Sequence, residues 1–179
     1  MKLMRPGMIY GLKHHGLHLP NTRISNTTVI ENSNSLILRD NVFIGHHNFI
    51  EASNGVEIGE GCQVTNFISI LSHSSHHSIR YYGSHYRDFK VHKGFVNGPV
   101  SIGAYTFIGP HSLIMPGTRI GKGCLIRAYS LVKGEFPDFA IIGGNPANVL
   151  GDTRDTDGPF LEEHPKLKAF YEEWAGRKE

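Results

Sequence analysis

Large aliphatic residues recur at every sixth position in the segment "VSIGAYTFIGPHSLIMPGTRIGKGCLIRAYSLVKG", residues 100–134. They are Ile102, Ile108, Ile114, Ile120, Ile126 and Val132. The residue two positions before each of them is small or β-branched, and glycine directly follows three of them. An amphipathic helix would place apolar residues at i, i+3, i+4 and i+7, and a continuous strand would alternate with a period of two. The unbroken period of six matches neither pattern.

A stack of short strands explains this period. In such a stack, one aliphatic side chain per strand fills a central column, and the small residue two positions earlier also points inward. The glycines and polar residues between them form the turns. The pattern therefore predicts an all-β chain folded as a parallel β-helix, a solenoid whose coils bury their inner faces only against one another.

The N-terminal half of the chain repeats the pattern in three shorter registers. Their aliphatic residues are Ile24, Ile30 and Leu36, then Leu38, Ile44 and Ile50, then Ile58, Val64 and Ile70. Each change of register indicates a small insertion in a turn. With three strands per coil, about five coils are expected between Ile24 and Val132. Cys62 and Cys124 fall on small inward positions, so we expect both to be buried packing thiols.

The segments outside the repeat have a different character. We interpret residues 1–23 as an N-terminal segment, residues 24–150 as the β-helix domain, and residues 151–179 as a linker followed by a short C-terminal helix. The helix is predicted from about Pro165 to Ala175, because Leu167, Phe170, Tyr171 and Trp174 follow helical spacing. The acidic stretch "LGDTRDTDGP" before it is typical of a linker.

The composition narrows the class of protein. The 179 residues suffice for one domain with a core, and the net charge of +2 gives no reason to expect nucleic acid or an anionic membrane as partner. No apolar run approaches the roughly 18 residues of a membrane span, and the N-terminus lacks the apolar centre of a signal peptide. Two cysteines form neither a disulfide framework nor a CxxC metal motif. We therefore expect a reduced, cytoplasmic protein without a transmembrane segment.

The repeat is interrupted once, by a long excursion at about residues 72–99. The stretch "SILSHSSHHSIRYYGSHYRDFKVHKG", residues 69–94, holds five of the twelve histidines and few aliphatic residues. Loops of this length in a compact domain are usually functional or disordered. Its tyrosines and phenylalanines argue against disorder. We expect an ordered arm that packs on a neighbouring subunit.

The sequence resembles the hexapeptide-repeat, left-handed β-helix acyltransferases over about residues 24–150. The resemblance rests on the hexad array, on the exit segment "AIIGGNPANVL" at residues 140–150, and on "LSHSSHHSIR" followed by the excursion and "GPVSIG". The most similar members are the sugar O-acetyltransferases of the galactoside, maltose and xenobiotic type. The left-handed sense comes from the resemblance alone, because the general rule for parallel crossovers favours the right-handed one.

The resemblance implies an O-acetyltransferase that uses acetyl-CoA, needs no metal and modifies a hydroxyl of a sugar or polysaccharide precursor. Imidazole, with a pKa near 6.5, can accept the hydroxyl proton at neutral pH. By the resemblance His73 is this general base, with His76 and His77 as alternatives, and no covalent enzyme intermediate forms. Asp88 and Glu51 are candidates to orient the imidazole, but we interpret each as an ordinary surface carboxylate.

Further site residues follow from the same resemblance. The candidates for acceptor binding are Asn48, Arg80, Tyr81, Tyr82 and Arg87. The arm residues among them also fit subunit contacts, and Asn48 also fits a turn or an inward polar position. The candidates for coenzyme A binding, in a groove between subunits of a homotrimer, are Phe107, Gly109, Arg127, Ala128, Lys133, Gly144, Pro146 and Arg154. Three departures affect this groove: Phe107 replaces a frequent tryptophan, Arg127 a usual glycine, and Asn148 a usual basic residue.

Other functions share this fold. Within acyl transfer, an amino sugar or an antibiotic can be the acceptor, and succinyl can replace acetyl. A γ-type carbonic anhydrase would bind zinc with three histidines across a subunit interface, and this chain has histidines to spare, although only His111 lies on a late coil. A β-helix without catalytic activity would serve as an assembly module. Zinc content and coenzyme A binding distinguish these classes.

Overall fold

Short parallel strands stacked in three sheets form the body of the molecule in a computed structural model, which describes residues 5–177. Sheet A contains β1 (Met8–His14), β2 (Leu17–Ser25), β5 (Phe43–Ile44), β8 (Gln63–Val64), β13 (Phe107–Ile108), β16 (Leu125–Ile126), β19 (Ala140–Gly144) and β20 (Ala147–Asp152). Sheet B contains β3 (Val29–Glu31), β6 (Phe49–Glu51), β9 (Ser69–Leu71), β14 (Leu113–Ile114) and β17 (Leu131–Val132). Sheet C contains β4 (Leu36–Leu38), β7 (Val56–Ile58), β12 (Val100–Ile102), β15 (Arg119–Ile120) and β18 (Glu135–Phe136).

The chain visits the sheets in the order A, B, C five times, from β2 to β18, and then returns to sheet A with β19. This confirms the β-helix of about five coils. The repeat's aliphatic residues lie directly above one another: Ile70 pairs in register with Ile50 below it and with Ile114 above it. All three are fully buried. The hexad period therefore arises because each strand contributes one aliphatic side chain to a continuous internal column.

The small inward residues are buried as expected. Thr106 and Ser112 donate side-chain hydrogen bonds to the carbonyls of Gly121 and Arg127, on the next coil, at 3.0 and 3.1 Å. Cys62 and Cys124 are buried thiols, as predicted. Burial raises the pKa of the Cys124 thiol to about 11. Such a thiol stays protonated and acts as packing.

The three sheets of the β-helix meet at three corners, and these corners have different structures. We name them by the sheets that they join: the A/B corner, the B/C corner and the C/A corner. At the A/B corner four residues with positive φ, His47, Phe67, His111 and Tyr129, stack their rings in one column. Neighbouring ring centroids are 4.9–5.1 Å apart, the spacing of adjacent coils. This aromatic column is exposed at Phe67 and Tyr129.

The excursion leaves the β-helix at the B/C corner of the third coil and is folded. It contains the antiparallel pair β10 (His73–Ser74) and β11 (Val96–Asn97), the helix α1 (Ser78–Tyr82) and a 3-10 helix (Gly83–Asp88). Tyr82 contacts the rings of Tyr86, Phe89 and His92, which gives the arm a small aromatic core. The arm packing on a neighbouring subunit remains a prediction.

The C-terminal part differs from the sequence-based prediction at one point. The stretch interpreted as a linker, residues 150–159, instead completes β20 and then enters a helix, α2 (Thr153–Glu162). The Asp152 carboxylate caps it by accepting from the Arg154 N–H, and the Thr153 hydroxyl donates to the carbonyl of Gly123. The helix forms because these two hydrogen bonds stabilise it by more than the glycine and the proline within the segment destabilise it. The helix α3 (Pro165–Ala175) confirms the predicted one, and its Trp174 stacks on Tyr105 at the C/A corner. No helix among residues 5–177 is long and apolar enough to cross a membrane.

Candidate active site

Glu51 and His73 meet at the B/C corner, where the arm leaves the solenoid. Glu51 ends β6 and pairs in register with Leu71 on the coil above it. His73 follows two residues after Leu71 and begins β10 of the arm. The register of the coils therefore places the histidine next to the glutamate, and the His73 Nδ1 lies 2.6 Å from the Glu51 Oε2.

Glu51 is a buried carboxylate, with 2 % of its surface exposed. Its Oε1 accepts from the Ser53 N–H at 2.8 Å, and its Oε2 accepts from the Ser72 hydroxyl at 2.8 Å. Burial by itself raises the pKa of this carboxyl, but the hydrogen bonds from Ser53, Ser72 and His73 outweigh it and lower the pKa to about 2. The carboxylate is therefore ionised at neutral pH. The interpretation of Glu51 as an ordinary surface carboxylate is therefore wrong.

An ionised carboxylate defines the state of the imidazole beside it. Because the carboxylate can only accept, the neutral His73 ring carries its proton on Nδ1 and keeps a lone pair on Nε2. The ring of Phe95 stacks on that of His73, with the centroids 5.0 Å apart, and fixes its plane. The His73 side chain is 33 % exposed. This arrangement equips Nε2 to accept a proton from a bound hydroxyl.

The two alternative histidines have other partners. The Ser74 hydroxyl lies 2.8 Å from the His76 Nδ1, and the Arg80 guanidinium lies 2.8 Å from the His77 Nδ1. Neither histidine is paired with a carboxylate within residues 5–177. Asp88 lies on the exposed outer part of the arm and pairs with His85 at 3.0 Å. Of the three candidate histidines, His73 is thus the one that pairs with a carboxylate, and Asp88 does not contribute to this pair.

The candidates for acceptor binding are not all brought together. Asn48 is buried, and its amide bonds to the backbone of Gly45, Thr65 and Ile68. It joins neighbouring coils from a buried position, which fits the alternative of an inward polar residue and not a contact with an acceptor. Tyr82 belongs to the aromatic core of the arm, where its hydroxyl accepts from the Lys93 N–H. The remaining candidates lie exposed on the arm: Arg80, Tyr81 and Arg87.

Six of the eight candidates for coenzyme A binding lie together on the late coils. They occupy sheet A, its terminal hairpin and the A/B corner: Phe107, Gly109, Arg127, Ala128, Gly144 and Pro146. The coils approach closely here, since a Cβ on Gly109 would lie 2.5 Å from the Ala128 nitrogen. Lys133 lies instead at the B/C corner. Arg154 pairs with Asp152 at 2.6 Å and covers the Phe139 ring at the C/A corner, which does not fit a donor contact.

Sequence reasoning missed Ser53, Ser72 and Phe95, which hold the pair in place. The hexad register contained a signal for them. Once Ile50 is placed beneath Ile70, the ends of β6 and β9 must share a corner, and the polar residues after both strands must meet there. Within the described part of the chain, no group of three histidine, cysteine or acidic side chains is placed to hold a metal ion.

Comparisons with known proteins agree with this architecture. The family model of bacterial transferase hexapeptide repeats, which comprises six repeats, matches residues 99–134. Over these residues the chain carries the hexapeptide repeat of bacterial transferases. It is 30 % identical over 123 residues to a probable acetyltransferase of Mycobacterium tuberculosis, covering 69 % of this chain and 39 % of that protein. It is 31 % identical over 102 residues to the galactoside O-acetyltransferase of Escherichia coli, covering 57 % and 45 %. The hexapeptide-repeat chain thus spans less than half the length of these relatives.

Solved structures show the fold. A galactoside acetyltransferase in complex with coenzyme A matches with a TM-score of 0.51 and 24 % identity, covering 74 % of this chain and 65 % of the other. AntD, an N-acyltransferase from Bacillus cereus in complex with dTDP and 3-hydroxybutyryl-CoA, matches with a TM-score of 0.58 and 18 % identity, covering 83 % and 89 %. The left-handed β-helix expected for this hexapeptide-repeat protein is confirmed.

Proposed function

We propose that this hexapeptide-repeat protein is an O-acetyltransferase of the cytoplasm, which moves the acetyl group of acetyl-CoA to a hydroxyl of a sugar or polysaccharide precursor. The observation that carries the proposal is the Glu51–His73 pair, a base with a buried orienting carboxylate at the root of the arm. The comparisons support it, because relatives are described as acetyltransferases and one solved neighbour binds coenzyme A.

The residues present account for the proton transfers of such a reaction. The His73 Nε2 accepts the hydroxyl proton as the oxygen attacks the thioester carbonyl carbon. The new C–O bond forms, the C–S bond breaks, and the imidazolium returns the proton to the thiolate of coenzyme A. Glu51 stabilises the imidazolium while it exists, through the 2.6 Å contact to Nδ1. The acetyl group passes directly, without a covalent enzyme intermediate.

The donor site in this proposal lies on the late coils. Phe107 is 39 % exposed on the outer face of sheet A and can cover the pantetheine in place of the frequent tryptophan. The exposed backbone around Ala128 and Gly144 offers groups to the amides of the pantetheine. Both places lie one corner away from His73, since sheet B separates the A/B corner from the B/C corner. A single chain therefore does not bring donor and base together.

We infer that the protein is a homotrimer in which the donor site of one subunit meets His73 of its neighbour. The outer face of sheet B is apolar at Phe49, Leu113 and Leu131, whereas sheet C presents Glu57 and Arg119. Contiguous apolar faces on a protein surface are typical of interfaces. If sheet B faces a three-fold axis, the A/B corner of each copy meets the B/C corner of the next copy. Three equivalent sites then form, each with a donor groove from one subunit and His73 from its neighbour.

The trimer is tested by charging the face that would surround the axis. We expect the wild-type protein to sediment at three times the 19.9 kDa chain mass, and Leu131→Arg to sediment as a single chain, because three cations would crowd the axis. The matched control is Ser101→Arg on the exposed face of sheet C, which should remain trimeric. Sedimentation equilibrium at micromolar concentration measures both. A wild-type protein that is monomeric there contradicts the trimer and the shared site.

The proposed activity is tested by donor binding and by turnover. Calorimetric titration of acetyl-CoA should give a Kd in the range of about 1 μM to 1 mM, a usual range for enzyme substrates. Release of the free thiol of coenzyme A should then depend on an added saccharide. A panel of neutral sugars, amino sugars and aminoglycosides, each tested with acetyl-CoA and succinyl-CoA, identifies the acceptor class and the acyl group. If the titration gives no heat and no acceptor causes thiol release, acyl transfer by this protein is refuted. Zinc analysis would then be the next measurement.

A further inference from the structure

The arm carries the positive charge of this protein. Residues 72–99 contain four cationic side chains, Arg80, Arg87, Lys90 and Lys93, and one carboxylate, Asp88, which gives a net charge of +3. The whole chain has a net charge of +2, so the remaining residues together are slightly acidic. A local excess of one sign next to a proposed active site raises the local concentration of ligands of the opposite sign.

Arg80 is held in a defined orientation at the base of this arm. Its guanidinium donates to the backbone carbonyl of His76 and to the His77 Nδ1, the latter at 2.8 Å. A guanidinium has five N–H donors, so others remain for a ligand. Because arginine can only donate, the His77 Nδ1 accepts, and the proton of the neutral ring lies on Nε2. The Tyr81 ring lies parallel to the His77 ring and completes this edge of the arm.

Lys133 joins this group from the late coils. Val132 lies two coils above Ile70 in the same column, so Lys133 is about 10 Å above Leu71 along the B/C corner. Burial, and then the positive charges of His76, Arg80 and Lys133, hold the pKa of His77 below its ordinary value. No ion pair within residues 5–177 joins a carboxylate to Arg80 or Lys133. The charges therefore repel one another without compensation from the chain itself.

We infer that the acceptor carries an anionic group, a phosphate or a carboxylate, which Arg80, the His77 Nε2–H and Lys133 bind together. The inference rests on the proposed function and adds the class of acceptor. The cluster lies at the same corner of the same chain as His73. An acceptor that contacts both must therefore have its anionic group at some distance from the hydroxyl that reacts. The same chemistry would suit a phosphate of coenzyme A, to which the family resemblance assigns Lys133, and the experiment separates the two sources.

Direct binding tests the cluster without requiring activity. Pyrophosphate is titrated calorimetrically into the wild-type protein and into Arg80→Gln, Lys133→Gln and the control Lys90→Gln, an exposed cation of the arm outside the cluster. We expect each of the first two variants to weaken binding about tenfold or more, as expected for a lost hydrogen bond to a charged group, and the control to leave it unchanged. Arg80→Gln could weaken binding by disturbing the fold of the arm. Lys133 lies outside the arm, so weaker binding in Lys133→Gln does not have that explanation. Equal affinity in all four proteins overturns the inference.

Turnover then distinguishes acceptor from donor. With acetyl-CoA saturating, kcat/KM for galactose 1-phosphate should exceed that for galactose by about 10- to 100-fold, and Arg80→Gln should remove most of this preference. If the two variants instead weaken acetyl-CoA binding and leave the preference intact, the cluster binds the donor and the inference is wrong. If pyrophosphate binds as expected but no thiol is released with any acceptor, the proposed function fails while the anion site stands.

Discussion

Replacing His73 by alanine is expected to lower kcat by about 10²- to 10⁴-fold, the usual contribution of a general base. An alcohol at neutral pH is a poor nucleophile, and in the proposed mechanism the His73 Nε2 accepts its proton. The affinity for acetyl-CoA should stay within about twofold, because the residues proposed to bind the donor lie on the late coils, away from this side chain. Thiol release measures kcat, and calorimetric titration measures the donor affinity.

The other histidines of the arm provide the controls for this experiment. His85→Ala, which removes an exposed imidazole paired with Asp88, should leave kcat unchanged. His76→Ala and His77→Ala test the alternative bases, and we expect smaller losses in kcat than for His73→Ala, because neither ring contacts a carboxylate. If His73→Ala retains activity and one of the other two variants loses it, the base has been assigned to the wrong residue.

The solenoid could be predicted because its physical requirement is local and repetitive. Each coil must contribute one aliphatic side chain per strand to the column, so the period of six is visible in a single sequence from Ile102 to Val132. The same repetition could have located the Glu51–His73 pair, because the hexad register specifies which strand ends share a corner. The repeat does not reveal the burial of a polar residue. Glutamate and asparagine usually occupy surface or turn positions, but neighbouring coils bury both Glu51 and Asn48.

The parts outside the repeat depend on tertiary contacts that no local pattern specifies. The segment from Thr153 to Glu162 has the glycine, proline and acidic residues of a linker, but Asp152 caps it and Thr153 ties it to Gly123. Within the arm, a cluster of aromatic rings around Tyr82 replaces the aliphatic core that the sequence lacks. Composition could indicate that this arm is ordered, but its internal fold follows from these particular ring contacts.

Glu51→Gln tests the carboxylate that orients the base, and we expect it to lower kcat by about 10²- to 10⁴-fold. The glutamine amide can donate to the His73 Nδ1, which would move the ring proton to Nε2 and remove the acceptor that the reaction needs. The KM for acetyl-CoA should change little, because in the proposed mechanism Glu51 acts through His73 and not on the donor. Glu57→Gln, an exposed glutamate paired with Arg39 on sheet C, is the matched control and should keep full activity. A loss below about threefold in the Glu51 variant would show that the pair is structural only.

Glu51→Gln should also change the stability of the fold at acid pH, because glutamine keeps the shape of the glutamate side chain but removes its charge. The pKa of this carboxyl is lowered from 4.5 to about 2 in the folded protein, so its ionised form stabilises the fold above about pH 4.5, and this contribution is lost as the pH falls through about 2. The lowering corresponds to about 3 kcal/mol. In Glu51→Gln that part of the pH dependence should disappear, whereas Glu57→Gln should unfold with the wild-type profile. Urea unfolding followed between pH 2 and 7 measures the difference. Identical pH profiles for Glu51→Gln and the wild type would mean that the carboxylate is not held by Ser53, Ser72 and His73 as an anion, and the proposed role of Glu51 in preparing the base would fall with it.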